Sequence, residues 1–274
     1  MTALLVAALV VTAHARSYQP GELVVFTVDA PPQVDGVRVG AFGREIPSYR
    51  VDDRHWRALV GIDLDVRPGP YRVDVDASAP GAAIERATYD LTVLTRHFPT
   101  RQLKVDEAYV NPPADVQERI AAEARELDAV WKTTSVERYW AGPFVRPVPG
   151  PANSQFGTRS VFNGVPRAPH GGGDFLSGAG TPIKAPNAGR VVVARSLYFT
   201  GNTVVIDHGL GLISMLAHLS ETDVHEGDAV EAGQIVGKVG ATGRVTGPHL
   251  HWAVRANGAR VDPLSLLSLL GDKD

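Results

Sequence analysis

Short runs rich in valine, threonine and aromatic residues, broken by proline and glycine, fill the first third of this chain. Proline-containing breaks such as Ala30-Pro31-Pro32 and Ala79-Pro80-Gly81 are turn signals that separate one run from the next. Regularly spaced short strands of this kind are typical of a β-sandwich. We therefore predict an immunoglobulin-like sandwich of about seven strands over residues 16–104. Five of its strands lie in ELVVFTVDA, GVRVGAFG, HWRALVGIDLDV, PYRVDVDA and ATYDLTVLT.

The N-terminal stretch MTALLVAALVVTAHARS indicates export. Its apolar run from Leu4 to Val11 is too short to span a bilayer, and Ala13-His14-Ala15 fits a small-x-small cleavage site. We predict a signal peptide over residues 1–15, although no Lys or Arg precedes the apolar run. The alternative is a buried strand or helix that opens the first domain. No other segment is long and apolar enough to span a membrane. We therefore expect an exported protein in the periplasm or cell envelope.

The pattern changes in residues 105–147, which we assign to a helix and a linker. The segment NPPADVQERIAAEARELDAVWKT places apolar residues at helical spacing and predicts a strut between two domains. The next stretch, SVERYWAGPFVRPVPGPANS, has four prolines between Pro143 and Pro151. Such a composition predicts an extended linker.

Residues 148–274 form the predicted second domain, which is rich in glycine and in β-type runs. Its expected strands lie in RVVVARS, NTVVIDH, LISMLAHL, QIVGKVG and HLHWAV. The glycines of HEGDAVEAGQIVGKVGATGRVTG suit tight turns in a compact antiparallel sheet. The chain as a whole is therefore expected to be mainly β.

Composition excludes several kinds of site. The net charge is −3 and the pI is about 6.3, so the overall charge gives no reason to expect nucleic-acid binding. Cysteine is absent, which excludes disulfides, thiolate ligands and a cysteine nucleophile. Any metal must be held by His, Asp or Glu, a donor set that suits zinc.

Histidines are concentrated in the second domain. The segment APHGGGDF carries His170 and Asp174, LAHLS carries His218, and GPHLHWAV carries His249 and His251. On a strand, side chains at i and i+2 leave the same face, so the last two histidines point the same way. A catalytic zinc usually takes three protein ligands and leaves a fourth position for water. Five candidates are two too many, but hydrolysis also needs a general base or a transition-state stabiliser. Spacing alone does not decide which two are not ligands.

The motifs HGGGD, AHLS and PHLH, in this order and after FGTRSVFNG, resemble the lysostaphin/LytM-type zinc peptidases that cut peptidoglycan peptides. The resemblance covers roughly the C-terminal 120 residues. It implies that His170, Asp174 and His251 bind one Zn²⁺ per chain, and that His218 and His249 act in catalysis. It also implies a LytM-type peptidase fold for the second domain.

The resulting hypothesis is a secreted zinc-dependent endopeptidase that hydrolyses peptide cross-links of bacterial peptidoglycan. Its expected partners are stem peptides and, as a further candidate, a regulatory protein. The alternative is a non-hydrolytic regulator or wall-binding module that activates another cell-wall hydrolase.

Four further residues are candidates for supporting roles. His208 in VIDHGLG is expected near the site on the preceding strand, as a supporting or structural residue. Arg159, Asn163 and Arg167 precede the first predicted ligand. They are candidates either for binding the carboxylates of a stem peptide or for fixing their own loop by hydrogen bonds.

Overall fold

A computed structural model describes residues 9–81, 83–104, 107–153 and 156–271, with the side chains of residues 108 and 109 excepted. The first eight residues of the predicted signal peptide lie outside the described part. Most of the regular structure is β, as the sequence predicts. The first-half strands are β1 (Val10–Ala15), β2 (Leu23–Asp29), β3 (Gly36–Ala41), β4 (Arg44–Arg50), β5 (His55–Gly61), β6 (Gly69–Ser78), β7 (Glu85–Val93) and β8 (Thr100–Leu103).

The rest of the described chain, after β8, contains the helices and the remaining strands. The helices are α1 (Glu107–Val110), α2 (Ala114–Lys132) and α3 (Pro263–Leu270). The strands are β9 (Arg159–Phe162), β10 (Val165–Pro166), β11 (Gly172–Phe175), β12 (Pro182–Lys184), β13 (Gly189–Leu197), β14 (Gly201–Gly209), β15 (Leu212–Thr222), β16 (Ala229–Val230), β17 (Ile235–Val239), β18 (Leu250–Ala256) and β19 (Ala259–Val261).

The N-terminal domain is a seven-stranded antiparallel sheet in the order β1-β2-β5-β4-β3-β6-β7. Strand β4 connects its two halves, because its first residues pair with β3 and its last residues pair with β5. Apolar side chains from both halves, including Phe26, Val39, Val60 and Val75, form one buried core. The number of strands agrees with the prediction, and the immunoglobulin-like assignment stays a prediction.

Strand β1 lies where the sequence predicts a cleaved leader. All six of its residues pair with β2, from Val10 opposite Asp29 to Ala15 opposite Val24. The partly buried side chains of Leu9, Val11, Ala13 and Ala15 pack against the domain core. Cleavage after Ala15 would remove this paired strand. This pairing fits the alternative, a strand that opens the first domain, and cleavage after Ala15 stays a prediction.

The predicted helix is present as α2, and it packs on the C-terminal sheet as well as linking the two domains. Its apolar side packs on one face of the C-terminal sheet, and this packing buries the aliphatic residues beneath it. The helix therefore covers part of the domain that carries the histidines. The packed residues are Leu127, Val130 and Trp131 of the helix with Val193, Val205, Ile213, Met215 and Ala253 of the sheet.

The proline-rich segment after α2 has little regular structure, as predicted, but it is packed in the core. Trp140, Phe144 and Val148 are buried in a cluster that also includes Leu23 and Leu59 of the N-terminal domain. The same cluster continues into the C-terminal sheet. The two domains therefore share a hydrophobic core across this segment.

The C-terminal sheet has nine strands in the described part of the chain. Its main order is β11-β18-β15-β14-β13-β16, with β17 beside β15, β12 beside β17 and β19 beside β18. All of these pairs are antiparallel. A separate three-stranded sheet pairs β8 in parallel with β9. The predicted boundary at residue 104 therefore separates β8 from the strand with which it pairs.

A buried ion network also joins the two domains. The guanidinium of Arg16 lies 2.7 Å from carboxylate oxygens of both Glu22 and Asp262. Arg96 lies 3.0 Å from Glu22, and Asp262 also accepts a hydrogen bond from the backbone of Leu264 at the start of α3. Among the described helices, none is long and apolar enough to cross a membrane.

Deletion of residues 1–15 is expected to lower the free energy of unfolding by about 2 kcal/mol, because it removes several partly buried apolar side chains and leaves one edge of β2 unpaired. Urea denaturation of the full chain and the truncated chain measures the difference. A chain that lacks only residues 1–8 retains β1 and is the matched control. Mature protein that begins at Arg16 and unfolds at the same urea concentration as the full chain would contradict the assignment of β1.

Candidate active site

Strand pairing brings the predicted metal ligands together. In the β11–β18 ladder Asp174 lies directly opposite His251, and in the β18–β15 ladder His251 lies opposite Ala217. His170 comes just before β11, where its backbone N–H donates to the carbonyl of Thr158. Residues distant in sequence thus converge on one end of β18.

Glycine is required where β11 passes the ring of His251. A Cβ placed on Gly172 would lie 2.8 Å from ring atoms of His251 and 2.5 Å from the carbonyl oxygen of Trp252. Both distances are too short for any side chain. Gly172 therefore permits the close approach of the β11 backbone to His251 and Trp252.

His170, Asp174 and His251 form a compact donor group. His170 Nε2 lies 2.9 Å from His251 Nδ1, and Asp174 Oδ1 lies 3.1 Å and 3.0 Å from these two nitrogens. Ligand atoms that share one tetrahedral zinc ion lie about 3.3 Å apart, given bond lengths of about 2.0 Å. The three donors are therefore close to the arrangement that such an ion needs, and the group could bind a metal.

The electrostatics of this group also suit a metal cation. Burial opposes ionisation of Asp174, but its contacts with His170 and His251 outweigh that effect and hold its pKa well below the usual range. Burial lowers the pKa of His251, which favours the neutral imidazole. Metal binding requires an ionised carboxylate and neutral imidazoles. The shifts of Asp174 and His251 thus both favour the protonation states that metal binding requires.

His218 points into the same cleft because β15 contains a bulge. The β14–β15 register shifts by one residue between the pairs Asn202–Leu219 and Val204–Leu216. His218 lies within this irregularity and has φ of 68°, a left-handed conformation that is costly for a residue with a side chain. Bulges often redirect a side chain beside a functional site. Here the bulge turns His218 toward the cleft.

The two histidines outside the donor group have similar hydrogen bonds. His218 Nδ1 lies 2.9 Å from the carbonyl oxygen of Thr242, and His249 Nδ1 lies 2.9 Å from that of Gly247. A carbonyl can only accept, so in the neutral rings Nδ1 carries the proton and Nε2 has the lone pair. The ring centroids are 5.1 Å apart, and His249 Nε2 lies 3.7 Å from Asp174 Oδ1. Burial, followed by the neighbouring His251, lowers the pKa of His218 to about 4.

All five histidine and aspartate candidates line one cleft of about 340 Å³. Its walls include residues that the sequence analysis did not select, chiefly Phe162, Phe199 and Arg244. The Arg244 guanidinium carbon lies 4.4 Å from the ring centre of Phe199 and 5.5 Å from that of Phe162. The sequence feature that could have drawn attention to Arg244 is the glycine-flanked segment ATGRVTG just before PHLH.

The predicted peptide-binding residues do not line this cleft. Arg159 is exposed on β9, and Asn163 lies in the β9–β10 turn with φ of 50°. Arg167 donates through Nη2 to the carbonyl of Val110 at 2.6 Å and lies over the ring of Phe162. Arg167, and Asn163 through its Nδ2 contact with Glu107, fit the alternative in which these residues fix their own loops.

The expectation that His208 lies near the site is wrong. His208 is near the far end of β14, about 20 Å along the strand from Gly201, whose neighbour Thr200 lines the cleft. It is fully buried beside Phe144, on the face of the sheet that forms the shared core. Its Nδ1 bonds to the carbonyl of Ala188 and its Nε2 to the hydroxyl of Ser214, each at 2.9 Å.

A family model described as peptidase family M23 matches residues 168–263, which include the HGGGD and PHLH motifs. A crystal structure of a putative peptidase M23 from Pseudomonas aeruginosa is 34% identical and superposes with a TM-score of 0.70. The similarity covers 92% of this chain and 96% of that one. The chain belongs to peptidase family M23. The family resemblance inferred from the motifs is thus confirmed.

Curated relatives match the C-terminal part of this M23 chain. Peptidoglycan DD-endopeptidase ShyA of Vibrio cholerae is 43% identical over 97 residues, which are 35% of this chain and 23% of ShyA. Lysostaphin of Staphylococcus simulans is 38% identical over 114 residues, which are 39% of this chain and 23% of lysostaphin. The chain therefore matches less than a quarter of the length of either relative.

The buried His208 is expected to make folding stability depend on pH. Burial lowers its pKa from 6.5 to about 4, so between these values the unfolded chain binds a proton that the folded chain does not. The free energy of unfolding should therefore fall as the pH falls from 6.5 to 4, by about 3 kcal/mol from this group. Urea denaturation of wild type and His208→Gln over this range isolates the contribution. Parallel stability curves for the two proteins would contradict it.

Proposed function

We propose that this chain is a zinc-dependent endopeptidase that cleaves peptide cross-links of bacterial peptidoglycan. The observation that carries the proposal is the convergence of a His-Asp-His donor group and two further histidines on one cleft of an M23 family member. The names of the relatives, a peptidoglycan DD-endopeptidase and lysostaphin, support the substrate class.

His170, Asp174 and His251 are the proposed zinc ligands. Their donor atoms all lie within 4.8 Å of one another, and two nitrogens with one carboxylate oxygen form a set found in catalytic zinc sites. When bound, zinc would polarise the substrate carbonyl and lower the pKa of a water molecule toward 7. The chain itself fixes the donors, through the paired strands β11 and β18 and the tight glycine segment before them.

His218 and His249 are the proposed catalytic residues. With Nδ1 held by a carbonyl oxygen, each neutral ring presents the Nε2 lone pair as a proton acceptor. One imidazole takes the proton of the attacking water and returns it to the leaving amine. The other, in its protonated form, donates a hydrogen bond to the oxyanion that develops on the peptide carbonyl. The distance of 5.1 Å between the ring centres allows both to act on one peptide group.

The cleft walls fit an extended peptide with acidic groups. Phe162 and Phe199 supply apolar sides, and Arg244 between them supplies a cation at the edge of the site. Stem peptides contain carboxylates that a guanidinium can bind in a bidentate manner. Since peptidoglycan lies outside the cytoplasmic membrane, the proposal places the protein in the periplasm or cell envelope.

Alanine variants of His251 on β18 and of His249, one residue before that strand, are expected to lose activity in different ways. His251→Ala should lose both zinc and activity, since two remaining ligands hold zinc poorly. His249→Ala should keep nearly stoichiometric zinc while its kcat falls by roughly two to four powers of ten. Metal analysis and steady-state kinetics measure both effects. Loss of zinc in His249→Ala with retention in His251→Ala would reverse the assignment.

The activity itself is tested on purified sacculi. The zinc-loaded chain should lower their turbidity and release muropeptides with cleaved cross-links, detected by mass spectrometry. Chelation should stop the reaction and added zinc should restore it. A zinc-loaded chain that leaves sacculi intact but accelerates a second purified hydrolase would instead support the regulator or wall-binding alternative.

A further inference from the structure

A second cavity, of about 640 Å³, lies at the junction of the two domains and helix α2. Its walls come from β4, from the C-terminal end of α2 and from the β18–β19 hairpin. It lies away from the histidine cleft, toward the opposite end of β18. We call it the junction cavity. A volume of this size can hold a small ligand or one end of a larger one.

Arg255 is the unusual residue of the junction cavity. It lies four residues after His251 on β18 and stacks over Trp131 of α2, with its guanidinium carbon 5.1 Å from the ring centre. Its Nε is buried and has no hydrogen-bond partner among the residues that the structure describes. Within the same described ranges, no carboxylate lies within ion-pair distance of its guanidinium.

The other charges of the cavity are largely paired. Arg260 pairs with Asp63 and with Asp65, and Lys132 pairs with Asp128 at 2.6 Å. Exposed Glu45 lies 4.0 Å from Arg38. These acids therefore already have cationic partners.

Arg44 adds a second cation with unused donors. Its Nη1 donates to the carbonyl oxygen of Asn257 at 2.9 Å. A guanidinium has five N–H donors in a planar fork. Arg44 and Arg255 both line the cavity. Together they have more N–H donors than there are acceptors recorded for them among the described residues.

A buried cation without a partner is costly. Burial, and then the nearby Arg260, lowers the pKa of Arg255 to about 10, which reflects this cost. An anion in the cavity would offset the unfavourable burial of this charge and accept hydrogen bonds from its N–H groups. Guanidinium groups bind the planar oxygen pairs of carboxylates and phosphates in a bidentate manner.

We propose that the junction cavity is a binding site for an oxyanion group, a carboxylate or a phosphate, held by Arg255 and Arg44. The site is separate from the proposed zinc centre, and its test does not depend on peptidase activity. It does adjoin the loop that carries His170, since Arg255 Nη2 lies 3.9 Å from where a Cβ on Gly171 would be. An occupant would thus be held against the back of that loop.

The test is a titration of the full chain with sodium phosphate and, separately, sodium acetate, against sodium chloride at matched ionic strength. Isothermal titration calorimetry and thermal unfolding follow binding. We expect saturable binding of at least one oxyanion with one site per chain that depends on Arg255, and a rise in Tm that chloride does not produce. Preference for phosphate would indicate a phosphorylated ligand, and preference for acetate a carboxylate such as those of a peptide; either supports the site.

Arg255→Met should weaken this binding at least tenfold. Its Tm without oxyanion should equal or exceed that of wild type, because the variant removes a partly buried charge that has no ion-pair partner among the described residues. Arg44→Gln should weaken binding as well and serves if Arg255→Met does not fold. The matched control is Arg195→Gln, an arginine outside the cavity that pairs with Glu126. An oxyanion bound at the proposed zinc centre would bind Arg255→Met and wild type equally. That result, or no oxyanion-specific binding to wild type, would overturn the proposal.

Discussion

The pairing of β18 between β11 and β15 is the constraint on which the rest of the site depends. It places Asp174 beside His251, and His251 beside Ala217, the neighbour of His218. Because successive side chains of a strand point to opposite faces, a slip of one residue would turn His251 into the core and Trp252 into the cleft. The buried Trp252, which lies on the core face with Leu250 and Val254, therefore helps to fix the register of the proposed metal site.

The two faces of the C-terminal sheet contact different parts of the chain. One face packs against the proline-rich segment and the N-terminal domain, and that shared core holds His208 as a neutral, hydrogen-bonded residue. The other face is divided between helix α2 and the histidine cleft. Helix α2 also reaches the cleft wall, because Glu123 accepts a hydrogen bond from the backbone of Tyr198, next to Phe199. The N-terminal parts of the chain thus support the peptidase domain physically.

The sequence predicted the parts of the fold that carry strong patterns. The long β14, β15 and β18 runs and helix α2 were predicted. The apolar run that forms β1 fits both an export signal and an edge strand, so its pattern alone does not choose between them. Strand β4 was missed because it contains Pro47, and β16 because two residues carry no periodicity. Such strands are defined by their partners rather than by their own residues.

The residues of the site divide in the same way into those with a sequence motif and those placed by tertiary contacts. The motifs selected five residues that the structure brings together, whereas Phe199 and Arg244 lie in turns whose positions depend on tertiary contacts. His208 was misplaced because closeness in sequence to β15 does not say which end or face of β14 it occupies. Arg255 gave no signal, since an arginine on a strand is unusual only when its own contacts are known to leave a buried N–H without a hydrogen-bond partner.

Diffraction from crystals of the zinc-loaded chain, with anomalous data collected at the zinc absorption edge, tests the central claim most directly. The proposed function predicts one zinc peak in the histidine cleft, bonded to His170 Nε2, a carboxylate oxygen of Asp174 and His251 Nδ1. His218 and His249 should lie nearby without bonding to it. A zinc ion bonded to either of those two histidines in place of one of the three ligands, or no zinc in the cleft, would contradict the account.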